Sequence, residues 1–136
     1  MCCSIEDIQV CVYELGKKVG APRSLLLVRG NSPEDGSPHV EINSNGFEYV
    51  CSERGCEIYR KHTDIVEELL YWIMSGVVFR LASDYELANR VEGVDFRRLY
   101  FSKYISIFGE ISGEWKERAS NEVLEILEST PYVDGQ

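Results

Sequence analysis

No stretch of this 136-residue sequence approaches the roughly 20 consecutive apolar residues that a membrane-spanning helix requires. The longest apolar run, Leu69 to Leu81, is interrupted by Ser75, Gly76 and Arg80. A charged-then-apolar leader is also missing, because Glu6 and Asp7 arrive almost at once, and a cytoplasmic protein is the expectation. Positive charge is scarce: 14 Lys and Arg stand against 23 Asp and Glu, a formal charge of −9. A phosphate-binding surface needs clustered Lys and Arg, and here they are scattered among more numerous acids, so nucleic acid is excluded as a direct partner. Glycines sit singly in turns, which excludes a glycine-rich phosphate loop.

Histidine is limited to His39 and His62, neither of them in a nucleophile motif such as GxSxG, and both read as solvated residues at strand edges. The cysteines (Cys2, Cys3, Cys11, Cys51, Cys56) form an odd set without CxxC spacing, poor for a closed disulfide framework and ordinary for thiols. Cys51 and Cys56, with His62 nearby, lack the second short-spaced pair that a zinc site wants. The sequence therefore predicts no catalytic residue, no metal and no cofactor.

What is present fits a single domain over residues 1–136 built around one core. Ser4 caps a first helix carrying Ile5, Ile8, Val12, Leu15 and Val19 at helical spacing, ended by Gly20 and Pro22. Ser24 to Val28 reads as either a helical turn or a strand, and Gly30 to Pro38 as a loop. Val40 and Ile42 then alternate with Glu41, Asn45-Gly46 marks a hairpin, and Phe47, Tyr49 and Cys51 alternate before a second turn at Arg54-Gly55. With both turns as two-residue loops, Ile42 lies opposite Tyr49, Val40 opposite Cys51, and Cys51 opposite Ile58, all on one apolar face. The other face then carries Glu41 beside Val50 and Tyr59, with Glu48 opposite Lys61. The fold class is α+β: a three-stranded antiparallel meander flanked by an N-terminal helix and about three C-terminal helices.

Thr63 or Asp64 opens a long helix with a stripe of Val66, Leu69, Leu70, Ile73, Val77, Leu81, Tyr85 and Ala88, bent or split near Ser75-Gly76. Glu86 and Arg90, like Arg80 and Asp84, are spaced to pair at i, i+4. Asp95 caps a further helix bearing Phe96, Leu99, Tyr100, Tyr104, Phe108 and Ile111. Ser112 caps a last one with Trp115, Ala119, Val123 and Leu127, stopped by Pro131. Residues 131–136 read as a loose tail. Arg90, Arg97 and Arg98 are expected to tie helices together through Glu86 and Asp95. The helical aromatics, Tyr71 and Trp72 among them, read as core and core-edge packing.

Several short motifs, in this order and spacing, resemble the immunity protein 63 family. They are Pro38-His-Val-Glu41, Asn45-Gly-Phe-Glu-Tyr49, Glu53-Arg-Gly55, Glu68-Leu-Leu-Tyr-Trp-Ile73, Ala82-Ser-Asp-Tyr-Glu-Leu87 with Arg90, and Asp95-Phe-Arg-Arg98. The resemblance implies an immunity protein of a bacterial polymorphic toxin system, which binds a cognate toxin domain, often a nuclease, and blocks it without chemistry of its own. A strongly acidic chain fits a basic partner. The outward sheet face, with Glu41, Glu48, Val50, Glu57 and Tyr59, is the expected contact surface, and the acidic helical region Glu110 to Glu128 competes with it. An adaptor or regulatory module for a protein other than a toxin is the alternative reading.

Overall fold

The computed structural model describes residues 4–135 and has the element order helix, 3-10 turn, three strands and three helices. The α+β class with an N-terminal helix, a three-stranded meander and three C-terminal helices is therefore observed. The chain divides into two compact units at Ser75/Gly76.

The first unit opens with α1 (Ile5–Lys18), which Ser4 caps by accepting from Asp7 N at 3.1 Å. Glu6 and Asp7 in the first turn and Lys17 and Lys18 in the last complement the helix dipole. Ile8 and Val12 are fully buried. Gly16 belongs to the same buried stripe, and its lack of a side chain has a packing purpose. A Cβ there would lie 2.3 Å from Cδ1 of Leu26, itself buried. Residues 23–25 form a 3-10 turn, and the chain beyond it is fastened on two sides. The Gln9 amide donates to Leu26 O at 2.7 Å and accepts from Val28 N at 2.8 Å, while Arg29 O accepts from Val40 N at 2.8 Å.

The sheet has the order β1 (Asp35–Asn43), β2 (Gly46–Glu53), β3 (Cys56–Thr63), antiparallel throughout. β1 begins inside the stretch read as a loop, and its first residues include Gly36 (φ 89°) and a ladder irregularity between Asp35 and Pro38. Its register differs from expectation by two residues: Val40 faces Tyr49 and Ile42 faces Phe47. The first turn is Ser44-Asn45, where the Asn43 side chain accepts from Asn45 N at 2.9 Å, and Gly46 (φ 127°) follows it rather than forming its centre. A slip of two preserves the faces. Arg54 and Gly55 both have positive φ, as a type I′ hairpin requires, and Glu53 pairs with Cys56 as expected.

Between the pairs Ser52–Glu57 and Cys51–Tyr59, however, Ile58 has no opposite number. This bulge moves the rest of β3 by one residue, and a one-residue shift exchanges the faces. Tyr59, expected outward, takes the place opposite Cys51 that Ile58 was expected to fill. Glu48 lies opposite His62 rather than Lys61. On the face holding Val40, Phe47, Tyr49 and Cys51, all buried, the Tyr49 ring sits 6.3 Å from that of Trp72 and 6.4 Å from that of Tyr59.

Helix α2 (Val66–Ala88) is continuous, so Gly76 neither ends nor splits it, and the division between the two units falls within it. Its buried residues are Leu69, Leu70, Tyr71, Met74, Val77, Val78, Ala82 and Glu86, a face rotated from the expected stripe, with Tyr85 exposed. The helix is apolar on more than one side, so hydrophobic spacing alone does not select its buried face. Ser75 donates to Tyr71 O within it.

In the second unit α3 (Phe96–Ile111) packs on α4 (Gly113–Ser129). Ser112 ends one and caps the other, accepting from Trp115 N at 3.2 Å. Phe101, Ile107, Phe108, Ile111, Ala119 and Val123 are buried. Asp95 caps α3 and joins it to the chain end, accepting from Arg97 N, the Arg97 guanidinium (2.8 Å) and Val133 N (2.9 Å). Arg97 also donates to Thr130 O and Pro131 O, and Arg98 lies over the Tyr132 ring and pairs with Asp134. The expected loose tail is thus corrected for residues 131–135: they lack regular structure but are held through backbone and side chains. Gln136 lies outside the described residues. Arg90 pairs with buried Glu86 as expected, but Arg97 fastens the tail as well as the cap, and Arg98 bonds the tail through Asp134.

Gly16→Ala should destabilise the protein, because crowding against Leu26 (about 1–3 kcal/mol) exceeds the helix-propensity gain of about 1 kcal/mol. In urea titrations, Gly16→Ala combined with Leu26→Ala should cost less than the sum of the single changes. Simple additivity would contradict the packing assigned to this glycine.

Candidate functional site

The bulge at Ile58 assembles a charged cluster on the sheet face opposite Tyr49. Alternation along β1 and β2 puts His39, Glu41, Glu48 and Val50 on that face, and the pairings Glu48–His62, Val50–Arg60 and Ser52–Glu57 add three residues from β3. At the centre is the Arg60 guanidinium. Its Nη1 lies 3.0 Å from Glu41 Oε1 and 3.6 Å from Glu48 Oε1, and its Nη2 lies 2.8 Å from Glu57 Oε1. His39 donates from Nε2 to Glu41 Oε2 at 2.8 Å, and His62 Nδ1 bonds Glu48. Three carboxylates thus share one guanidinium and two imidazoles. With the histidines neutral, two negative charges remain uncompensated.

The bonds from His39 and then Arg60 hold the Glu41 carboxyl below its ordinary value, and His62 does the same for Glu48. Both stay ionised at neutral pH, so each ring nitrogen facing them carries its proton. His39 is not the solvated strand-edge residue expected: it is 5% exposed, and its Nδ1 is buried without a hydrogen-bond partner among the described residues. His62 is exposed.

Of the five residues expected to form the contact surface, Glu41, Glu48 and Glu57 share this cluster. Val50 lies on the same face but is 1% exposed, so it supports the surface from beneath rather than meeting a partner. Tyr59 is on the opposite face, where burial pushes its hydroxyl above the ordinary value. Arg60, His39 and His62 were not among the expected site residues. His39 was accessible to sequence reasoning, since it stands two residues before Glu41 on one strand. Arg60 was not, because only the bulge turns it toward the acids.

The competing region on α4 presents Glu114, Glu117 and Glu125 with the pair Arg118–Glu122, on a shallow helical surface. Cys51 is a buried thiol donating to Gly36 O at 2.7 Å, while Cys56 is exposed. Cys2 and Cys3 lie outside the described residues. Among the described residues no group of three or more His, Cys, Asp and Glu is placed to hold a metal ion, and none of the helices is long and apolar enough to cross a membrane.

The depressed carboxyls define a pH dependence. Glu41 and Glu48 bind protons less readily in the folded chain than in the unfolded one, so their contribution is fully present above about 4.5, the ordinary glutamate value. It is lost as pH falls from there through the lowered folded values. Arg60→Gln should therefore lower the urea midpoint at pH 7, and its gap from the parent should narrow below pH about 4.5. A gap independent of pH would show that the guanidinium does not stabilise through these acids.

A family model described as immunity protein 63 matches residues 43–125, from the end of β1 into α4, and includes Glu48, Glu57, Arg60 and His62 of the cluster. No curated protein and no solved structure matches the chain. With more than half of its length matched and the expected α+β order observed, the chain belongs to the immunity protein 63 family.

Proposed function

We propose that the chain, acting as one domain over residues 1–136, binds a cognate bacterial toxin domain and neutralises it by one-to-one protein–protein inhibition, without turnover. Family membership supports the immunity role. The observation that carries the surface assignment is the convergence of Glu41, Glu48 and Glu57 on a lone guanidinium, which leaves excess negative charge on a rigid sheet. A basic partner gains from that excess twice. The field of a chain with net charge −9 raises the encounter rate, and preorganised carboxylates accept a lysine or arginine without first being ordered. A nuclease is the toxin class that fits best, since a groove built for phosphates carries clustered positive charge. Covering such a groove with fixed carboxylates excludes its substrate.

Glu41 and Glu57 are the accessible acids of the cluster, with side chains 41% and 47% exposed against 12% for Glu48. Reversing both to lysine should slow association with a toxin domain that co-purifies with this chain by roughly ten- to a hundredfold at low salt, and should abolish protection of cells expressing that toxin. The matched reversal Glu117→Lys with Glu125→Lys on α4 should leave protection intact. Full protection by the sheet variant, folded by circular dichroism, together with loss in the helix variant, would transfer the contact surface to α4.

A further inference from the structure

The two edges of the sheet are not equivalent. Along β1 the outer edge is engaged, with Val40 N donating to Arg29 O at 2.8 Å. Along β3 no backbone hydrogen bond other than its ladder to β2 is made among the described residues, and residues 56–62 are all exposed. An edge of this kind presents a row of unpaired donors and acceptors. Proteins usually guard such rows with a bulge and with charged side chains. Here the bulge lies at Ile58, beside the hairpin turn, so Tyr59 to Thr63 remain in regular register. The two cations that would guard this stretch are folded back over the sheet. Arg60 is drawn onto the carboxylates of one face, and Lys61 Nζ lies 5.3 Å from the Trp72 ring and 5.8 Å from the Tyr59 ring on the other. The edge is regular, exposed and unguarded.

We infer that the outer edge of β3, from Tyr59 to Thr63, accepts an extended segment of the toxin partner as a fourth strand, with basic side chains on the Glu57 and Glu48 side and apolar ones on the Tyr59 side. This inference rests on the neutralisation reading above and names the contact within it. Charge decides the occupant. Neighbouring strands run about 4.8 Å apart. Within the stretch that face of β3 carries Arg60 and His62, both bonded inward to the acids, so a lysine or arginine on an added strand lies about two strand spacings from Glu48 and meets Glu57 only beyond the bulge. An acidic segment would meet the uncompensated charge of the cluster. On the other side, an apolar residue continues the ring row of Trp72, Tyr49 and Tyr59. Main-chain pairing provides attachment, and alternation of side chains provides selection.

The test uses the isotope-labelled full chain and three synthetic nine-residue peptides: one alternating lysine and valine, one alternating glutamate and valine, and the first with every second backbone nitrogen methylated. The lysine–valine peptide should shift the amide signals of residues 57–63 and slow hydrogen exchange at alternate residues between 59 and 63, the pattern of one added ladder. It should bind roughly tenfold or more tightly than the glutamate–valine peptide. Glu48→Gln with Glu57→Gln should remove that preference. Equal binding by the methylated peptide, shifts confined to α4, or no shift at all would each overturn the edge assignment. The immunity reading fails separately: a chain that captures the peptide at β3 yet neither co-purifies with a toxin nor protects cells from one keeps the edge and loses the toxin. Protection with β3 amides unprotected in the toxin complex has the opposite meaning.

Discussion

Opposite residues on antiparallel strands share a face, and each added residue turns the following side chains over. Ile58 is one such addition, and the arrangement of the candidate site follows from it. Without the bulge, Tyr59 would lie beside Val50 and Arg60 would point to the aromatic side. With it, the one cation among Glu41, Glu48 and Glu57 is brought to their centre, and Tyr59 joins Tyr49 and Trp72. Bulges increase local twist and re-aim side chains near functional surfaces, and this one separates a charged face from an aromatic one.

Electrostatics of the cluster favour order over neutrality. A single guanidinium cannot satisfy three carboxylates, yet it fixes their positions, and the two imidazoles hold the remaining oxygens of Glu41 and Glu48. The acids are therefore presented as a preformed constellation instead of as mobile side chains. Surface ion pairs of this exposure add little to folding stability one at a time. Their larger effect is to lower the ordering entropy that a partner must otherwise overcome on binding.

Local signals were legible in the sequence and non-local ones were not. Ser4, Asp95 and Ser112 were identified as helix caps because a cap depends on a few adjacent residues. The Arg54-Gly55 turn was legible for the same reason. At Asn45-Gly46 the sequence signals a turn without fixing its centre, since a glycine just after a turn and a glycine within one look alike in sequence. Nothing in Glu57-Ile58-Tyr59 marks an extra residue, so the faces of β3 were exchanged and Tyr59 was assigned to the acidic surface. Alternation in the sequence places Val50 on the outward face but does not show that this face, too, holds buried residues. The docking of residues 131–135 depends on Arg97 and Arg98 reaching partners more than thirty positions away, which no local pattern encodes.

The bond from Gly135 N to Gly93 O fixes where the described chain leaves the second unit, beside the connector that joins α2 to α3. A reporter or affinity handle attached directly after that point would crowd a connector that exposes Val91 and Val94, flanked by exposed Leu87 and Phe96 at the adjoining helix ends, and pull on the clasp formed by Arg97, Arg98 and Tyr132. A flexible spacer would relieve that tension, and a deliberately short one would turn the fusion into a mechanical sensor of the clasp.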